Sequence, residues 1–238
     1  MNSILDQDGQ GYSKEITRDF FKNVYAYMFG ALAISGIIAY TAGTPEVFAK
    51  YFINSEGTGL SPLFYVVAFA PVGLGLLIQM AYQRLSFGLL LLLFMVYSVL
   101  MGLSLSSIML VYAGQDIAIT FFVTAGAFGG MAVLGYTTQT DLTKFGSLMY
   151  MLFIGIFIAG IVNMFMQSEM MSYIIAIIGV FVFTGLTAYY MQQLKGIAQD
   201  QTLSHMDRSK LAVVGGLQLY ILFVNLFLSL LRLIGGRD

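Results

Sequence analysis

The chain has 238 residues, 58% of them hydrophobic and only 10% charged, where an ordinary soluble domain carries about 25% charged. A net charge of -1, with eleven Lys and Arg scattered among short connections, makes no basic field, so nucleic acid is not expected as a partner. The absence of cysteine removes thiolate nucleophiles, thiolate metal sites and disulfides, and what remains is the composition of a polytopic membrane protein whose partner is the lipid bilayer. With no Trp, anchoring at the interface falls to Tyr, and Tyr25, Tyr82, Tyr112 and Tyr136 lie near predicted span ends.

Residues 1–24 are polar at first and then set Lys14, Arg18 and Lys22 around Ile16, Phe20 and Phe21, which predicts an amphipathic lead-in on the membrane surface. Basic residues before an apolar run also open a signal peptide, but the run from Tyr25 to Ala42 is long and further spans follow it. It is read as a retained first span. Residues 43–62, with Gly57, Gly59 and Pro62, are read as a loop. Leu63 to Met80, containing Pro71, is the second span, and Phe87 to Val111, closing on GLSLSSI, is the third. Ile117 to Gly135 is the fourth, with Gly126, Gly129 and Gly130 expected on a close-packing face. Leu148 to Met166 is the fifth, containing Asn163 and preceded by Asp141 as its expected cap. Met170 to Met191 is the sixth, and residues 192–210 are read as a loop holding Lys195, Arg208, Lys210 and the only histidine, His205.

The seventh span, Leu211 to Ile234, differs from the rest. Its 24 residues rise about 36 Å as a helix, enough to cross a hydrocarbon core of about 30 Å. Gly215, Gln218, Leu222, Asn225, Ser229 and Arg232 share one helical face. Amides turned to lipid are costly, so Gln218 and Asn225 should point at protein or water, which places this helix inside the bundle. Its polar groups either hydrogen-bond neighbouring helices or, with Thr187, line a narrow hydrated path. Ser98, Ser104, Ser106, Ser107 and Thr184 are further candidates for that path.

The fold expected is an all-α membrane protein of seven transmembrane helices. GLS at residues 102–104 and GLT at residues 185–187, each late in its span, suggest three plus three spans around a central seventh. Short connections leave residues 25–238 as a single transmembrane domain. Eight Lys and Arg fall on the side of the N-terminus and three on the other, so the positive-inside rule puts the N-terminus in the cytoplasm.

All twelve acidic residues lie in termini, loops or helix ends, which argues against a proton relay or tightly coupled pump. The one histidine stands apart from any intramembrane serine, and an aspartyl mechanism needs two buried carboxylates, so no enzyme is expected. Glycine-rich phosphate loops and zinc spacings are missing, so no cofactor is implied. Hydroxyl and carbonyl oxygens suit hard cations, but without fixed negative charge passage would be leak-like. The fifteen Met and twenty Phe read as plastic apolar packing.

Four stretches carry a resemblance: VYSVLMGLSLSSIMLVY, GYTTQTDLTKFGSLMYM, FTGLTAYYMQQLK and LQLYILFVNLFLSLLRLIG. The chain resembles the bacterial branch of the Bax inhibitor-1 (transmembrane Bax inhibitor motif) family from about Tyr25 to Arg237. The resemblance implies an inner-membrane, seven-helix fold with a central last helix and a calcium leak gated by pH. It also implies, as a second possibility, a modulator of a membrane-anchored quality-control protease. Calcium ions and such a protease are therefore the implied partners. Members whose sixth and seventh spans read AYDTQ and LYLDFIN carry two aspartates that share a proton and close the pore. Here those positions are Tyr190 and Leu222, and both carboxylates are missing. Neither residue titrates near neutral pH, so this pH switch is not expected.

Overall fold

The computed structural model describes residues 2–54 and 59–235, with side chains from residue 14. Gly57, Glu56, Asp238 and the end of the resemblance at Arg237 lie outside the described residues. The helices are α1 (Asn2–Ala42), α2 (Pro45–Phe52), α3 (Pro62–Ala81), α4 (Phe87–Leu105), α5 (Ile108–Val111), α6 (Gly114–Thr137), α7 (Thr143–Met166), α8 (Glu169–Gln199) and α9 (His205–Ile234). Seven stretches among them are long and apolar enough to cross a membrane, α4 and α5 counting together. Their outward faces carry large apolar side chains such as Phe29, Ile37, Met80, Phe122 and Phe165. Such faces are at home in lipid and would aggregate in water. This is an all-α, seven-span membrane protein.

Three boundaries differ from the sequence reading for local reasons. The lead-in is no separate element: α1 runs unbroken from Asn2, and Phe20, Phe21 and Val24 are buried. The expected loop at residues 43–62 contains α2. Thr44 caps it by accepting from Val47 N at 3.3 Å, Pro45 and Glu46 open it and Lys50 closes it, all ordinary helix signals. Its Phe48 and Phe52, one turn apart, meet Phe64 edge-on at 6.2 and 6.0 Å. The expected loop at 192–210 shrinks to residues 200–204, because nothing after Met191 breaks the helix before Gln199. Lys195 and His205 therefore stand on helices. Ser204 opens α9 by accepting from Asp207 N at 3.1 Å while donating to Asp207 Oδ2 at 2.7 Å, a reciprocal cap.

Contacts within the chain cluster into two compact units. The first comprises residues 1–111 and 197–220, and the second residues 112–196 and 221–238. Spans one to three thus fall in one unit and spans four to six in the other, and α9 contributes its first half to one and its second half to the other.

In the first unit α1 and α4 approach closely at Gly102, where a Cβ would lie 2.7 Å from both Ser35 O and the Ile38 side chain. Gly216 of α9 likewise lies against α1, its Cβ position 2.9 Å from Tyr27 and 3.0 Å from Val24 O. Phe94 and Tyr97 meet Tyr220 edge-on at 6.0 and 5.8 Å. The serines of GLSLSSI separate α4 from α5: Ser106 and Ser107 donate to Leu103 O and Ser104 O at 2.7 and 3.2 Å, competing with the helical ladder.

In the second unit the close approach of α6 is at Gly135, against the Ala188 backbone. Gly126, Gly129 and Gly130 face open space instead. The buried side of α6 is Thr120, Thr124, Phe128, Ala132 and Gly135, and helical periodicity carries the other three glycines off it. The glycines of the short repeat also pack differently: Gly102 lies on α1, whereas Gly185 lies on Met149 and Phe145 of α7.

Candidate functional site

Five of the six singled-out residues belong to the second unit: Thr187 and Tyr190 on α8, and Leu222, Asn225 and Ser229 on α9. Helical spacing organises α8, where Ala176, Gly179, Val182, Phe183, Leu186, Thr187, Met191 and Leu194 are buried and recur every three or four positions or side by side. Gly179 on the same helix lets α9 approach, its Cβ position lying 2.6 Å from Ser229 Oγ. Gln218, the sixth residue, belongs to the first unit. It is half-buried and its side chain makes no hydrogen bond among the described residues.

The polar side chains turn their donors onto their own helices. Thr187 Oγ1 donates to Phe183 O at 2.7 Å, Asn225 Nδ2 to Ile221 O at 2.8 Å and Ser229 Oγ to Asn225 O at 2.8 Å. Thr184 does the same toward Val180 O at 2.7 Å, and Ser98, in the first unit, toward Phe94 O at 2.8 Å. The expected hydrogen bonds from Thr187, Asn225 and Ser229 to neighbouring helices are replaced by these one-turn bonds. The chemical consequence is directional: the hydroxyls of Thr187 and Ser229, their single hydrogens committed to backbone carbonyls, present oxygen lone pairs to their surroundings, and Asn225, with one of its two amide hydrogens so bound, presents Oδ1 beside the other.

The positions matching the missing carboxylates are built into packing. Leu222 is only 2% exposed, and its neighbour Phe223 meets Phe121 and Phe128 edge-on, each at 5.5 Å. Tyr190 is half-buried and joins a three-ring cluster, 6.0 Å from Tyr150 and 5.6 Å from Tyr189. Gly146 makes room beneath the Tyr189 ring, and Gln193 Nε2 donates to the Tyr189 hydroxyl at 2.9 Å.

One residue that the sequence reading passed over ties this unit together at its polar end. Gln192 Oε1 accepts from Leu142 N and its Nε2 donates to Thr140 O, both at 2.8 Å. The signal available was a glutamine just beyond the apolar run of α8, where an amide can reach another connection. Asp141 does not cap α7; Leu142 occupies that position, its N–H already taken by Gln192. Asp141 Oδ1 instead accepts from Thr143 Oγ1 at 2.6 Å and Thr143 N at 2.9 Å. These bonds, the hydroxyl's first, hold its carboxyl below the usual range. Lys195 Nζ donates to Tyr136 O at 2.8 Å and sits 5.2 Å over that ring, a cationic cap on the end of α6. Asn163, in the last turn of α7, closes the turn from α7 to α8, donating to Ser172 Oγ at 2.7 Å and accepting from Ser168 N at 3.0 Å. Among the described residues no three His, Cys, Asp or Glu gather as metal ligands.

The family model described as "Inhibitor of apoptosis-promoting Bax1" matches residues 17–238. The inner membrane protein YbhL of Escherichia coli K12 is 40% identical over 221 residues, covering 92% of each chain. A Caulobacter vibrioides protein is 42% identical over 228 residues, covering 92% of this chain and 89% of its own. A Borreliella burgdorferi protein is 41% identical over 226 residues, covering 93% and 94%.

Proposed function

Starting from the fact that this chain belongs to the Bax inhibitor-1 family of integral membrane proteins, we propose that it is a leak for calcium or a similar cation that works without a two-aspartate pH switch. The observation that carries this reading is the set of donors at Thr187, Asn225 and Ser229 bound to carbonyls of their own helices, which leaves their oxygens as acceptors. Oxygen lone pairs without fixed charge favour a hard cation over an anion, yet do not concentrate it, which suits slow passage and not pumping. The protein acts in the inner membrane, as the name of its Escherichia coli relative says of that protein. Its N-terminus faces the cytoplasm, and no catalytic step is assigned to it.

The test is calcium entry into liposomes carrying the purified protein, at acidic and at basic pH, beside a variant with Tyr190→Asp and Leu222→Asp. The parent should leak equally at both, and the variant should leak less in acid, where two close carboxylates share a proton. Flux no greater than into protein-free liposomes would sink the proposal. Orientation is checked by placing single cysteines at Thr202 and Lys50 in this cysteine-free chain. An impermeant maleimide added to intact spheroplasts should reach only the second.

A second reading is a non-conducting regulator that contacts another membrane protein, such as a quality-control protease. The packing of Leu222 and of the Tyr150, Tyr189 and Tyr190 cluster favours it, since those positions are filled by apolar and aromatic groups. A silent parent that co-purifies with a specific protease from mild detergent would select it.

A further inference from the structure

Two concavities of the second unit share a wall at Met170. One, of about 500 Å³, is lined by Glu169, Ser172, Tyr173, Arg232 and Gly235 in addition to Met170. The other is an apolar groove of about 470 Å³ between α7 and α8, lined among others by Met151, Gly155, Ala159, Ile174 and Ile178. We infer that together they hold one zwitterionic phospholipid, its phosphate on Arg232 and one acyl chain in the groove.

Three features point to that occupant. The first is depth: from Ala159 back to Met151, and from Met170 on to Ile178, the groove follows each helix through eight residue steps. At roughly 1.5 Å per residue that is about 12 Å, close to half of a hydrocarbon core about 30 Å thick. It runs from the α7–α8 turn to mid-bilayer, the reach of a lipid in one leaflet. The second is charge: Arg232 makes no ion pair or hydrogen bond among the described residues, and Glu169 lines the same concavity. A guanidinium binds a phosphate oxygen pair well, and a carboxylate nearby favours an ammonium-bearing headgroup over a net anionic one. The third is the shape of α7, where a side chain on Gly155 would meet nothing within 4 Å. In a bilayer, apolar space between two helices that no side chain fills is filled by lipid tails.

Both charged residues also have plainer uses. Arg232 complements the C-terminal end of α9 and can reach the interface, and Glu169 complements the start of α8. Neither use explains a leaflet-deep groove that shares Met170 with the concavity those two residues line.

The experiment is native mass spectrometry of the full chain released from nanodiscs of mixed phosphatidylethanolamine and phosphatidylglycerol. The parent should retain one phosphatidylethanolamine through a delipidating wash. Arg232→Gln should cut retention by about tenfold, the scale of a lost charge-assisted contact. Gly155→Leu should do the same by filling the groove. Gly160→Leu, on the same helix with open space and no place in the groove, should leave it unchanged and reports on folding. Equal retention by Arg232→Gln and the parent, equal retention of the two lipids, or none by the parent would each overturn the assignment.

Discussion

Helices α7 and α9 are nearly equal in mean hydropathy, 2.2 and 2.1, yet 11% of the apolar window of one is buried against 61% of the other. Hydropathy reports that a helix prefers membrane to water, and lipid and protein neighbours satisfy that preference equally. What separates the two is where their polar atoms stand. In α9 Gln218, Asn225 and Ser229 are distributed along the span, and each would be exposed to hydrocarbon on a lipid-facing helix. In α7 the polar contacts collect at the ends, Gln192 bonding Leu142 N at the start and Asn163 closing the turn at the finish. One helix is held along its length, the other at its two ends and over its first turns, where Met149 and Tyr150 pack.

The strongest way to break this comparison is to thicken each helix. Gly216→Leu in α9 drives a side chain into the α1 backbone, and the folded protein should be lost, an effect in the exceptional range above about 4 kcal/mol. Gly160→Leu in α7 meets nothing within 4 Å and should leave yield and melting temperature unchanged in detergent. A smaller contrast comes from truncation. Leu226→Ala, at a fully buried position of α9, should cost about 2–5 kcal/mol. Phe165→Ala, at a position 77% exposed in α7, should change stability by less than about 0.5 kcal/mol. Equal losses in steric-trapping measurements would show that α7 is packed along its length after all.

Holding by the tips is tested with Gln192→Leu, which leaves Leu142 N without its partner and should cost about 1–3 kcal/mol. Amide exchange should speed up at the start of α7 and stay unchanged along α9. The smallest effect is expected at Asp141. Its folded carboxyl is held low by Thr143, so the stabilisation is present above the ordinary carboxylate value of about 4. It is lost as pH falls through the lower folded value. Asp141→Asn should therefore lower the melting temperature slightly at neutral pH, with the gap closing in strong acid.

Much of the fold was legible because its signals are local. Seven apolar runs and the polar face of α9 each depend on residues within one helix. The helix over Pro45–Phe52 was legible too, since Thr44, Pro45, Glu46 and Lys50 are start and stop signals, but the polar residues around it outweighed them. The donors of Thr187, Asn225 and Ser229 bond carbonyls four residues back, so their preference was also within reach of the sequence.

By itself, then, the sequence determined a seven-span membrane protein of this family with a last helix whose polar face seeks protein. The tertiary structure alone decided which glycines meet a neighbour, Gly135 and not Gly126, Gly129 or Gly130, and that Gln192 fastens α7. It also decided that Tyr190 meets Tyr150 and Tyr189 edge-to-face and that α7 and α8 leave a groove between them. Those outcomes depend on which helix lies beside which, and a bilayer that receives every apolar face alike leaves that choice to packing between distant residues.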